Sequence, residues 1–170
     1  MSDETPDKGA TTPDNINKES EPQQGLIINL QYVKDLSFEA PATPGVFAML
    51  QKQQPEISLN VNLSVHPAQE NMYEVVLGTR AECKLGDTIC FIAELDYAGL
   101  FTLNIEEQHR QAVLLIECPR LLFPFSRHLM SVVTRDGGFP PLMIGPLDFV
   151  SMYKQRLNKD SKLSDNTTIP

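Results

Sequence analysis

The chain has 170 residues, a formal net charge of -8 and 41% hydrophobic residues, which fits one domain with tails and is too short for two ordinary domains. An acidic balance argues against nucleic acid or anionic membrane as the main ligand, because both need a basic surface to displace counterions or meet headgroups, and a basic partner suits it better. The N-terminus reads Met1-Ser2-Asp3-Glu4 without the features of a secretory signal, and the apolar runs 112–116 and 121–125 fall far short of the roughly 18 residues of a membrane span, so a cytoplasmic protein without membrane insertion is expected.

The first 24 residues hold six acids against two bases, and Leu26 is the first aliphatic residue able to start a core. A disordered acidic tail is expected over 1–24 and a polar disordered tail over 159–170, with one ordered domain at 25–158 between them. Inside that domain the acids lie early. Residues 25–96 carry nine acids and four bases, whereas 97–158 carry five acids and six bases.

The domain opens with strands. Ile28, Leu30 and Tyr32 alternate with Asn29 and Gln31, and Ile57, Leu59, Val61, Leu63 and Val65 alternate with polar residues, so each run reads as half-buried β. Pro41, Pro44 and Pro55 make 38–55 a long connection with at most a short helix near 46–50. Next, Tyr73, Val75, Leu77, Thr79 and Ala81 face one way, with Glu74, Arg80, Glu82 and Lys84 opposite. Leu85-Gly86-Asp87 supplies a hairpin turn. In the returning strand Phe91, Ala93, Leu95 and Tyr97 share one face and Ile92, Glu94 and Asp96 the other, and Gly99 is expected to end or bend it.

After Asn104 the pattern turns helical, with Glu106 and Glu107 near the start, where acids favour the macrodipole. Pro119 either kinks one long helix or starts a second. Residues 112–133 hold more apolar side chains than one stripe needs, so this helix is expected to be buried on two sides and to require a second subunit. Gly137, Gly138, Pro140, Pro141 and Pro146 form a rigid loop that positions Phe139. Asp148 caps a last helix with Phe149, Val150, Tyr153 and Leu157 on its apolar face. The expected fold class is α+β: a four-stranded, mainly antiparallel sheet packed with a long apolar helix and a shorter C-terminal one.

No chemistry converges. His66, His109 and His128 have no second metal-ligand type at suitable spacing, and Cys83, Cys90 and Cys118 lack CxxC or zinc spacing and read as reduced core thiols. Adjacent helix positions such as Glu106 and Glu107 point about 100° apart and make a poor acid/base pair. No nucleophile elbow or phosphate loop is present, and Pro140 and Pro141 remove the N–H donors that a phosphate cradle after Gly137-Gly138 needs. No catalytic residue, metal site or cofactor is expected.

The segment Lys34-Asp35-Leu36-Ser37-Phe38-Glu39-Ala40-Pro41 resembles the signature of the SecB family. Tyr73-Glu74-Val75-Val76-Leu77, Cys118-Pro119 with Leu122-Phe123-Pro124, and Phe139-Pro140-Pro141-Leu142 with Pro146 and Phe149 resemble their counterparts there, in the same order. The resemblance implies an ATP-independent holdase, a homotetramer built as a dimer of dimers, that binds unfolded precursor proteins and passes them to SecA. It implies that SecA docks through its zinc-bearing C-terminal tail, the zinc being SecA's own. By the same resemblance Asp35, Glu39, Ile92 and Glu94 match SecA-contacting positions, and Phe91, Ala93, Leu95 and Tyr97 match positions tied to assembly and precursor binding. Phe125, Phe139 and Phe149 are candidate groove aromatics, with plain core packing the alternative for each.

Two departures stand out: Ile92 replaces a common leucine, and Gln53-Gln54-Pro55 lacks the tryptophan some members carry. Competing readings are a SecB-like chaperone serving a toxin-antitoxin system and a small-molecule-binding α+β domain. The acidic positions favour SecA over the first, and the lack of converging polar groups weighs against the second.

Overall fold

Four runs rich in β-branched and aliphatic residues form β1 (Gly25–Glu39), β2 (Glu56–Gln69), β3 (Met72–Leu85) and β4 (Thr88–Asn104). The computed structural model describes residues 25–165, with side chains through Asn158. The acidic segment 1–24 lies outside the described residues, as does 166–170. The strands make one antiparallel sheet in the order β1-β4-β3-β2. β2–β3 and β3–β4 are neighbouring hairpins, while β1 and β2 occupy opposite edges, joined by the expected proline-rich connection with its short α1 (Gly45–Leu50).

β1 departs from the simple alternation read in Ile28, Leu30 and Tyr32. Its pairing with β4 shifts between Ile28 and Leu30 and again between Val33 and Asp35, and each extra residue moves the side chains that follow to the other face. Ile28 therefore shares a face with Phe101, whereas Leu30 and Tyr32 share the opposite one with Leu100 and Ala98. Leu30 is 55% exposed. Gly99 does not end β4, which runs on to Asn104. A Cβ there would lie 2.6 Å from the Phe101 ring and 2.8 Å from Leu122, so the missing side chain lets the helix layer approach the sheet closely.

The helical region runs through α2 (Glu107–Ala112), a π-helical turn at Val113–Glu117 and α3 (Cys118–Asp136), followed by α4 (Phe149–Asp165). Pro119 does not start a separate helix: of the two alternatives, the single continuous helical run is the one formed. Pro119 has no N–H to donate, and its ring would crowd the carbonyl four residues back, so the turn before it widens: the Cys118 N–H bonds the Val113 carbonyl five residues back. Leu122, Phe123 and Met130 of α3 are buried in one core with Leu77, Leu95 and Phe101 of the sheet, and Thr134 is buried too. The other flank of α3 leaves Leu121 and Phe125 exposed.

The loop after α3 is anchored by a buried hydroxyl. Thr134 Oγ1 donates to the Met130 carbonyl (2.9 Å) and accepts the Leu142 N–H (2.9 Å), while the Phe139 N–H reaches the Thr134 carbonyl (3.1 Å). This seats Phe139 in a cluster with Phe38, Phe47 and Phe91, ring centroids 4.9–6.1 Å apart. Gly137 leaves room for Phe38, whose ring a Cβ would meet at 2.4 Å. Asp148 caps α4 as expected, accepting the Ser151 N–H at 3.0 Å. Two expectations for α4 need correction. Leu157 is 40% exposed and so only partly covered, and the helix continues beyond Asn158 to Asp165. Loss of apolar residues marks where burial stops, while lysine and leucine still favour helical backbone.

Candidate functional site

In an antiparallel sheet, residues directly opposite one another point to the same face. The pairs Asp35–Asp96, Ser37–Glu94 and Glu39–Ile92 between β1 and β4, and Arg80–Glu94 and Glu82–Ile92 between β3 and β4, therefore share one face. The four positions Asp35, Glu39, Ile92 and Glu94 thus lie together on the sheet surface away from the helices. Asp35 and Glu94 line one shallow depression there with Asn60, Asn62, Arg80 and Asp96.

The charges on this face are not equally free. Arg80 bonds Glu94 through Nη1 and Glu82 through Nη2 (3.0 Å), and Lys84 also reaches Glu82. Those two carboxylates hold the Arg80 guanidinium above its ordinary value, and Lys84, then Arg80, keep the Glu82 carboxyl low. Further along, Lys34 (2.7 Å) and the Tyr32 hydroxyl converge on Glu74, holding its carboxyl below the usual range and raising the Tyr32 phenol to about 12. Asp35, Glu39 and Asp96 have no ion-pair partner among the described residues.

The opposite face carries Phe91, Ala93, Leu95 and Tyr97, all buried beneath the helices. Phe139 and Phe149 are also buried, Phe139 in the cluster with Phe91 and Phe149 against Phe123. For both, the core-packing alternative is what this chain displays. Phe125 differs: it is 50% exposed and stacks on Tyr97 at 6.1 Å. Around it the helix-side surface is uncovered. Val33 lies opposite Tyr97, and Ile28 and Leu36 lie on the same side of β1, all three exposed. At the far edge Ile57 and Leu59 of β2, and Met143 of the loop, are exposed too.

Sequence reading missed the Arg80–Glu94 pairing, although the signal was present. A two-residue turn at Gly86-Asp87 would pair inward Leu77 with outward Asp96 unless one strand carried an extra residue. The register shift beside Cys83 and Lys84 supplies it. Among the described residues no helix is long and apolar enough to cross a membrane, and no group of three or more His, Cys, Asp or Glu side chains is placed to hold a metal.

The family described as "Preprotein translocase subunit SecB" matches residues 19–160. The chain is 51% identical over 137 residues to the "Protein-export protein SecB" of Paramagnetospirillum magneticum, covering 81% of this chain and 88% of that one. It is 48% identical over 157 residues to the protein of the same name from Rhodospirillum rubrum, covering 92% and 91%. Among solved structures, the SecB-like chaperone of Mycobacterium tuberculosis, in complex with a peptide from an antitoxin, superposes with a TM-score of 0.60 at 16% identity, covering 73% of this chain and 91% of the other.

Proposed function

The chain belongs to the SecB family, and from that premise we propose that it is an export chaperone that holds unfolded precursor proteins without nucleotide, in the cytoplasm, and delivers them to SecA. The observation that carries this reading is identity of about half the residues, over most of both chains, to protein-export proteins. The antitoxin-linked neighbour, at 16% identity, shares the fold alone.

The two faces of the sheet suit two different ligands. On the outer face Asp35, Glu39 and Glu94 offer charge to SecA's basic, zinc-bearing tail, and Ile92 beside them offers an apolar contact that fixes register. On the helix side, exposed Val33, Leu36, Phe125 and Met143 offer non-directional apolar surface of the sort a holdase needs for many sequences. Part of that surface joins subunits in a homotetramer. Phe91, Ala93, Leu95 and Tyr97 serve assembly and client binding from below, by supporting Phe125 and the aromatic cluster.

Mixing the purified protein with an unfolded precursor should delay folding or aggregation in the absence of nucleotide. An unaltered time course would overturn the holdase assignment. Glu94→Lys, or Asp35→Lys with Glu39→Lys, should lose SecA-tail binding in calorimetry while holding stays normal, since reversal replaces attraction by repulsion. Wild-type tail affinity in these variants, or equal loss of holding, would contradict the separation of the two faces.

A further inference from the structure

We propose that Arg80 determines what the acidic sheet face accepts: it occupies Glu94 and Glu82, so a lysine- or arginine-bearing segment is received at Asp35 and Asp96 and gains Glu94 only by displacing Arg80. The inference rests on the outer face being the docking site of the basic SecA tail.

The guanidinium fork of Arg80 spans two carboxylates at once, Nη1 on Glu94 and Nη2 on Glu82, an arrangement lysine cannot reproduce. It already fills the position that an incoming cation would take at Glu94. Arg80 and Glu94 are nonetheless 43% and 45% exposed, so their pair is solvated, weakly held and exchangeable. The negative charge left over sits on the other side of the depression. Asp35 and Asp96 are directly opposite on adjacent strands, a like-charge pairing that is unfavourable unless a cation joins it. Because Gly78 has no side chain, those of Asn62 and Asp96 lean in over this side of the floor. A Cβ there would run into Asn62 Oδ1 at 1.8 Å and Asp96 Oδ1 at 2.9 Å, so an amide oxygen and a carboxylate oxygen both lie over bare backbone. The depression therefore holds one internal cation and one unfilled pair of carboxylates.

An Arg80→Gln variant tests this. Calorimetry with the SecA tail, and separately with a short oligolysine peptide, should show about 1.5- to 5-fold tighter binding than wild type, with steeper loss of affinity on raising salt because one more unpaired charge faces the ligand. Arg80→Lys, which keeps the charge but cannot span both carboxylates, should fall between. Unchanged or weaker binding of both peptides by a folded Arg80→Gln protein would overturn the inference and make Arg80 a support for Glu94 instead. If wild type and variant both ignored the SecA tail while the variant gained oligolysine affinity, the docking assignment would fail and the role of Arg80 would stand.

Discussion

Tyr32, Lys34 and Glu74 show how one residue on an edge strand acts across its neighbour. β1 and β3 are separated by β4, yet the Tyr32 hydroxyl and the Lys34 ammonium both reach Glu74 of β3. The phenol donates its proton there, so folding favours its neutral form and its pKa rises from 10.0 to about 12. A pKa raised on folding means that the stabilisation is fully present below pH 10 and is lost as pH climbs from about 10 to 12. Wild type should therefore lose stability across that interval in urea titrations, with one tyrosine in the ultraviolet titration ionising late. Tyr32→Phe should flatten the stability loss and remove the late step. An identical alkaline profile for both proteins would show that the hydrogen bond does not form in solution.

At the scale of elements, the end of α3 illustrates how a polar group specifies a loop. Thr134 is fully buried and its hydroxyl serves both the Met130 carbonyl and the Leu142 N–H. Thr134→Val keeps the shape but leaves the Leu142 N–H unpaired, at an expected cost of about 1–3 kcal/mol, measurable as a lower denaturation midpoint. The aromatic cluster should also loosen, seen as reduced near-ultraviolet circular dichroism. An unchanged midpoint would mean that water or a rearranged loop satisfies the amide. The loop was legible beforehand from Gly137, Gly138 and its prolines, as were all four strands and the long helix, because alternation and helical spacing are strong where burial is one-sided. What was illegible has a common cause in backbone irregularity. The β1 bulges leave no mark in composition, so Ile28 and Leu30 read as one face when they lie on two. Gly99 looked like a strand end because nothing in sequence distinguishes a turn glycine from one that admits Leu122. The acidic site was legible only in part: alternation puts Glu94 on the face away from Phe91 and Leu95, whereas Asp35 and Glu39 were reached only through the family resemblance, and Arg80 as partner of Glu94 depends on the bulge beside Cys83.

For the whole molecule, the question is what covers the helix-side apolar surface near β1. Val33 faces Tyr97 across the strands, Tyr97 stacks on Phe125, and Leu121, Ile28 and Leu36 extend the same surface, all but Tyr97 exposed in the single chain. β1 is also a sheet edge with unpaired backbone groups. A soluble monomer seldom leaves more than a few hundred Å² of contiguous apolar surface open, so burial against further copies of the chain is expected. Sedimentation equilibrium at micromolar concentration should give about four times the 19.0 kDa chain mass. Two classes of substitution then separate assembly from folding. Val33→Asp and Phe125→Asp place a charge where the single chain is already open, so each should lower the mass while circular dichroism shows a folded protein. Ala93→Asp places the same charge at a position with no exposure at all, where an unpaired carboxylate costs several kcal/mol, and should lower the denaturation midpoint or prevent folding outright. A monomeric wild type, or a full-mass assembly in both Val33→Asp and Phe125→Asp, would show that this surface is covered by something other than a second subunit.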